Sequence, residues 1–138
     1  MIRLLAENAN AYVPLAPGEE LHETERFVVW FGRGDSAQDT VAQRFRLGED
    51  EVDEAVAEIR AAVRGRGRGA STWEVADSAT PPDLVERLEC FGIVPFAEEP
   101  VAIGMVLTDE PPPPPPGVVA RRVATFEEYV QAPKSAKP

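Results

Sequence analysis

The chain has 138 residues and carries 24 Asp and Glu against 14 Lys and Arg, a formal net charge of −10. This excess of carboxylates opposes nucleic acid and anionic membranes as default partners. Hydrophobic residues make up 43%, which favours one compact domain with a real core. Cys90 is the single cysteine, so no internal disulfide is possible. With no apolar window of membrane-spanning length, the sequence predicts a soluble cytoplasmic protein.

The amino-terminal part of the chain contains one clear strand. Residues 1–25 are irregular and predict a short opening strand or arm at most. Residues 26–32, RFVVWFG, form a continuous β-branched and aromatic run, which is typical of a strand buried on both faces. A loop follows, and residues 41–47 predict a short helical or extended piece.

Residues 50–64, DEVDEAVAEIRAAVR, predict the clearest helix, because their apolar residues recur at spacings of four, three and four. Those residues are Val52, Val56, Ile59 and Val63. Acidic side chains precede and open the helix, whereas Arg60 and Arg64 lie near its end, an order that complements the helix dipole. Residues 71–76, STWEVA, predict a second short strand.

Residues 80–91, TPPDLVERLECF, predict a second helix. Thr80 suits the N-cap, Pro81 suits the first helical position, and Gly92 is placed to end the helix in a left-handed turn. Its buried stripe is expected to comprise Leu84, Leu88 and Phe91.

Two further strands are predicted at residues 93–96, IVPF, and 101–107, VAIGMVL. The resulting order is β-α-β-α-β-β. Strands that alternate with helices imply a mainly parallel, mixed sheet flanked by helices, with the last hairpin adding an antiparallel edge. The sequence therefore predicts the α/β class.

The chain divides at its proline run. Residues 1–108 are expected to form the α/β domain, and residues 109–117 a linker in which Pro111–Pro116 form a stiff polyproline II spacer. Residues 118–138 predict a strand and a short helix, with Thr125 and Glu128 at capping-box spacing. This pair is too short to be a domain, so it either docks on the main sheet or begins a second one.

Residues 71–123 carry a spaced set of motif positions. The set comprises Thr72-Trp73-Glu74-Val75, Ser78, Pro81, Asp83-Leu84, Leu88, Gly92, Glu99-Pro100, Met105, Leu107 and Arg121-Arg122-Val123. It resembles the amino-terminal half of two-part proteins of the GNAT acetyltransferase superfamily, common in actinobacteria, and the resemblance covers about residues 26–130. It implies that residues 1–108 copy the later part of a GNAT fold. VVARRVATFEEY would then open a catalytic GNAT unit that the chain, stopping at Pro138, does not contain.

Two glycine- and arginine-containing stretches could be phosphate loops. In GNAT enzymes the pyrophosphate loop follows a strand and opens a helix, so that helix N-terminal amides meet the phosphates. Residues 64–69, RGRGRG, instead follow a predicted helix, so we interpret them as a helix-exit turn. The counterpart position is expected after residues 26–32, in the loop with Gly32 and Gly34, where Asp35 and Asp39 would repel phosphate.

Other candidate residues favour structural roles. Residues 32–36, GRGDS, spell an adhesion sequence but suit a turn equally well. His22 is the only histidine, so a metal cluster of histidines and cysteines is excluded and a solvated surface role is favoured. Cys90 lies off the apolar stripe beside Glu89, which would raise a thiol pKa, and a catalytic thiol is not expected.

The remaining candidates are carboxylates and tryptophans. Asp53, Glu54 and Glu58 share one helix face, which is ordinarily a solvated face. Trp30 and Trp73 fall within strands, which favours core packing over stacking on a ligand.

The leading hypothesis is an accessory, non-catalytic GNAT-like domain that pairs with a catalytic GNAT unit or with itself. It has no catalytic, cofactor-binding or metal-binding residues and needs no cofactor. One alternative is an active small N-acetyltransferase that uses acetyl-CoA, with the phosphates at Gly32–Gly34 or at Arg64–Gly69. A second alternative is an adaptor that binds partners through its polyproline segment.

Overall fold

The computed structural model describes residues 7–8, 13–97, 113–119 and 122–131. The described strands are β1 (Glu20–Glu23), β2 (Val28–Phe31), β3 (Thr40–Gln43) and β4 (Thr72–Trp73). The described α-helices are α1 (Val52–Gly65), α2 (Leu84–Cys90) and α3 (Phe126–Gln131), and a single 3-10 turn lies at Ala37–Asp39. The strands form one sheet in the order β1-β2-β3-β4. β1, β2 and β3 pair antiparallel, and β4 pairs parallel to β3 after the α1 crossover. The predicted α/β class with a mixed sheet is confirmed.

The core lies between the sheet and helices α1 and α2. Val29 and Ala42 are partners in the β2–β3 ladder and project toward the helices, in one cluster with Phe31. The helices contribute the apolar side chains Val52, Ala55, Val56, Ile59, Val63, Leu84 and Leu88. Because this cluster joins residues far apart in sequence, it holds the meander and the crossover together.

Helix α1 spans Val52–Gly65, so the prediction for residues 50–64 is confirmed. Each residue of the predicted apolar stripe is buried, and Ala55 joins it. Asp53 and Glu54 lie in the first turn and Arg64 in the last, which favours the helix through its dipole.

The predicted order β-α-β-α-β-β is wrong at its start, because three strands precede the first helix instead of one. The sheet is also not mainly parallel, since only the β3–β4 pair is parallel among the described strands. The turn between β1 and β2 begins at Thr24, whose hydroxyl accepts hydrogen bonds from the N–H groups of Arg26 and Phe27. A Ser/Thr turn of this kind carries no Gly or Pro and so gave no turn signal.

Helix α2 spans Leu84–Cys90, which is shorter than the predicted residues 80–91. Thr80 is not its N-cap, because its backbone forms a β-bridge with Arg46. The predicted exit is confirmed: Gly92 is left-handed, with φ of 74°. Leu84 and Leu88 are buried as expected.

The segment after α2 does not form the third strand expected at residues 93–96. Val94 and Phe96 are 72% and 57% exposed, so this short apolar run does not enter the sheet. The strand expected at residues 101–107 lies outside the described residues.

The proline run ends in a turn, and the polyproline II spacer expected at Pro111–Pro116 stays a prediction. Val118 N–H donates to the carbonyl of Pro115 at 3.0 Å, and Gly117 adopts a φ of 85°, as in a type II turn. The described residues 118–119 and 122–124 are not in a strand, so the strand predicted there is not seen. The predicted helix is confirmed as α3. The Glu128 N–H donates to the Thr125 hydroxyl at 3.2 Å, as expected for a capping residue.

Across the described ranges, none of the helices combines the length and apolar character that a membrane crossing requires.

We predict that Leu88→Ala lowers the free energy of unfolding by about 2–5 kcal/mol, because Leu88 is buried in the cluster and its loss leaves a cavity. Glu89→Ala is the matched control, since Glu89 lies on the same helix and is exposed. Urea denaturation followed by circular dichroism measures both. A change below about 0.5 kcal/mol for Leu88→Ala would show that the core lies elsewhere.

Candidate functional site: the anion-binding positions

The Gly-Arg stretch is the exit turn of α1, as predicted. Gly67 is left-handed, with φ of 70°. Its N–H donates to the carbonyl of Arg64 at 2.9 Å, and the N–H of Arg68 donates to the carbonyl of Val63 at 3.1 Å. These two bonds define a Schellman motif. The nearest helix terminus therefore presents carbonyl groups, which repel an anion.

Two of the three arginines in this stretch are bound to the sheet. The Arg66 guanidinium lies 4.1 Å from the centroid of the Phe31 ring, and its Nε donates to Glu20 at 2.9 Å. Arg68 donates from Nη2 to the carbonyl of Gly32 at 2.6 Å. These contacts fasten the exit turn of α1 to β1 and to the end of β2. Arg64 is exposed, and among the described residues its side chain makes no contact of this kind with the sheet.

The loop with Gly32 and Gly34 joins antiparallel strands β2 and β3 and contains a single 3-10 turn, Ala37–Asp39, so it does not open an α-helix. Its expected role as the counterpart of a pyrophosphate loop is wrong for that reason. The loop folds around its own carboxylate, Asp39, which receives the Ser36 hydroxyl as well as the N–H groups of Gly34 and Ser36. A Cβ on Gly34 would collide with that carboxylate.

The hydrogen bond from the Ser36 hydroxyl holds the pKa of Asp39 below its ordinary value, with smaller contributions from the backbone and from Arg68. Gly32 is confined by a different neighbour, because an added Cβ would lie 2.6 Å from the Trp30 ring. The glycines therefore serve close internal packing, and the repulsion of phosphate by Asp39 stays a prediction.

The position that does follow a strand and open a helix is the crossover loop, residues 44–51, between β3 and α1. The sequence did not point to this loop, because residues 41–47 predicted a helical piece as readily as the extended one that β3 forms. Gly48 N–H donates to the Glu51 carboxylate at 2.7 Å. Arg46 N–H donates to the carbonyl of Arg26 at 2.8 Å, and Leu47 N–H to the carbonyl of Thr80 at 3.2 Å. The loop amides thus have partners within the chain.

The two arginines of the crossover loop are also engaged. Arg44 has a left-handed backbone, with φ of 58°, which is unusual for a residue other than glycine. Its guanidinium donates to the Thr24 carbonyl and, at 2.5 Å, to Glu23. Arg46 pairs with the buried carboxylate of Glu7, and this hydrogen bond raises the pKa of Arg46 above its ordinary value.

The acidic face of α1 is organised by one arginine rather than wholly solvated. Arg26 lies 2.5 Å from Glu58 and 3.3 Å from Glu54. His22 Nε2 lies 3.7 Å from Glu58, so the single histidine is part of this cluster and not a solvated surface residue. Asp53 is exposed, as expected. The cluster ties the β1–β2 turn to α1.

The other predicted residues fall in structural settings. Cys90 is exposed at the end of α2, with its sulfur 3.5 Å from the Glu86 carbonyl. Trp73 stacks on Phe45 with ring centroids 5.4 Å apart, so its expected packing role is confirmed. Trp30 is half-buried, with its indole nitrogen 3.4 Å from Glu19.

Chemically, the three places that could receive an anion are either filled by the chain's own carboxylates or face the carbonyl end of a helix. In the described part of the chain, no group of three or more His, Cys, Asp or Glu side chains is arranged to hold a metal ion. Comparison with known proteins adds no assignment, because no family model, curated protein or solved structure matches the chain.

We predict that Gly67→Ala destabilises the fold by about 1 kcal/mol, because an L residue is strained at a positive φ although the space around the added Cβ is open. Gly65→Ala is the control: Gly65 ends α1 with equally open space, and alanine there is expected to be neutral or to stabilise by about 0.5–1 kcal/mol. Chemical denaturation of both variants measures the difference. Equal effects would rule out the exit-turn assignment.

A second prediction concerns acid stability. Because the folded-state pKa of Asp39 is lowered, its contribution to stability is present above the ordinary aspartate pKa and is lost as pH falls through the folded value. Ser36→Ala is expected to raise the pKa of Asp39 and to reduce the acid-sensitive part of the unfolding free energy.

Carbon-13 NMR of the Asp39 carboxyl carbon across a pH titration measures this change, and Asp35, exposed in the same loop, is the internal control. An unchanged Asp39 titration in Ser36→Ala would contradict the assignment of the hydroxyl as the main cause.

Proposed function

We propose that this chain is an accessory, non-catalytic domain related to GNAT N-acetyltransferases, with a structural role beside a catalytic unit or a second copy. The observation that carries the proposal is the crossover loop. Among the described elements, this loop is the strand-to-helix junction that opens the longest helix. Its Gly48 N–H donates to the chain's own Glu51 carboxylate.

Charge around this junction supports the same conclusion. Glu49 and Asp50 are exposed immediately before α1, and Asp53 and Glu54 occupy its first turn. A pyrophosphate group brought to this helix terminus would meet these carboxylates at short range, and their repulsion would offset the attraction of the helix dipole.

The motif residues that the structure describes support the same proposal. Within the motif stretch, Trp73 packs on the core and Leu84 and Leu88 are buried in it. These motif residues therefore support the fold rather than a ligand.

We predict that the chain does not bind acetyl-CoA with a dissociation constant in the low micromolar range. Isothermal titration calorimetry on the whole chain tests this directly. Tight binding requires several free N–H groups that converge on the pyrophosphate, and the crossover amides of Arg46, Leu47 and Gly48 already have acceptors.

Low-micromolar binding would overturn the proposal in favour of an active acetyltransferase, and two variants would then locate the phosphates. Arg66→Glu/Arg68→Glu disrupts the exit turn of α1, whereas Arg46→Glu changes the crossover loop. Loss of binding in only one of them would identify the loop that holds the cofactor.

A further inference from the structure

A small cleft opens where the β3–β4 ladder is interrupted. The Glu74 N–H donates to the carbonyl of Ala42 at 2.8 Å. Backbone pairing resumes only where the Thr80 N–H donates to the carbonyl of Phe45 at 3.2 Å. The intervening residues 75–79 leave the sheet and arch beside the start of α2. The space between them measures about 260 Å³, and we call it the α2 cleft.

Seven of the eight residues that line the α2 cleft are of apolar type, and the eighth, Asp77, carries a carboxylate. The lining side chains that matter here are Val75, Ala79, Pro81, Pro82, Val85 and Asp77. Val85 is 45% exposed although it lies on the helix that packs on the core. Asp77 is exposed at the cleft. An occupant that matches this lining carries one or two small apolar side chains followed by a cation.

A segment of that chemistry lies in the same chain. Val118 and Val119 directly follow the turn that ends the proline run, and they are 55% and 86% exposed. Arg122 is exposed three residues further on. Burying exposed branched aliphatic side chains is favourable, because it removes apolar surface from water.

We propose that the α2 cleft binds Val118 and Val119 of a second copy of this chain, with Arg122 of that copy facing Asp77. Occupation by the same chain is not what the structure adopts, since both the cleft and the two valines are open. In a pair of copies each cleft would receive the other's segment, which gives a closed, two-fold exchange.

Reciprocity strengthens a contact that would be weak alone. Two valines and one exposed ion pair form a small interface, but the second contact of an exchanged pair forms within the complex at a high effective concentration. This inference rests on the proposed function in that it names the partner of an accessory domain as a second copy.

Sedimentation equilibrium of the whole chain over a wide concentration range tests the proposal, with circular dichroism as the check on folding. We expect a monomer–dimer equilibrium whose dissociation constant rises at least tenfold in Val119→Asp and in Val85→Asp. Val94→Asp is the matched control, because Val94 is 72% exposed and lies outside both the cleft and the segment; its dissociation constant is expected to stay within twofold of the wild type.

A charge exchange tests the pairing itself. Asp77→Arg and Arg122→Asp are each expected to weaken the dimer, and the double variant is expected to recover it. A monomer at every concentration overturns the proposal, as does a dimer that Val119→Asp and Val85→Asp leave unchanged. Monomeric mass with slow hydrogen exchange at Val118 and Val119 would instead show docking within one chain.

The outcome is separable from that of the proposed function. If no dimer forms, the acetyl-CoA titration still tests the non-catalytic role. If a dimeric chain binds acetyl-CoA with a low-micromolar dissociation constant, the non-catalytic role is overturned but the proposed contact between copies stands.

Discussion

The crossover from β3 through α1 to β4 is the constraint on which the rest of the structure depends. It converts an antiparallel meander into a mixed sheet, and its apolar helix face supplies five of the buried residues of the core. Among the described elements, the same crossover creates the strand-to-helix junction that opens the longest helix, where backbone amides could meet an anion. There the Glu51 carboxylate accepts a hydrogen bond from the Gly48 N–H, so a donor that a phosphate oxygen could otherwise use already has an acceptor within the chain.

The sequence predicted the elements whose signals are local. The stripe from Val52 to Val63, the helix-exit turn at residues 64–69 and the left-handed exit at Gly92 all follow from helix periodicity and glycine conformation. β1 and β3 were predicted only as open alternatives, a strand or an arm and a helical or an extended piece, because each is four residues long and ELHE and TVAQ lack the β-branched and aromatic density of β2. Their pairing depends on partners distant in sequence, which a local pattern does not encode.

Because the sequence did not distinguish β3 from a helical piece, the pyrophosphate position was expected in the loop after β2. The structure shows that the helix begins one strand later, after β3. No local signal predicts the left-handed backbone of Arg44 or the pairing of Arg46 with Glu7, since both arise from tertiary contacts. The exit turn at Gly67, in contrast, was predictable from its place after a helix, and its arginines proved to bind the sheet.

The central claim is that the crossover amides are occupied by the chain itself, and nitrogen-15 NMR with added inorganic pyrophosphate tests it most directly. The account predicts that the Gly48 amide resonance stays unchanged at millimolar pyrophosphate, together with those of Gly34 and Gly67. A saturable shift of the Gly48 resonance, absent in Arg46→Glu, would contradict it, because pyrophosphate would then have displaced the Glu51 carboxylate from its donor.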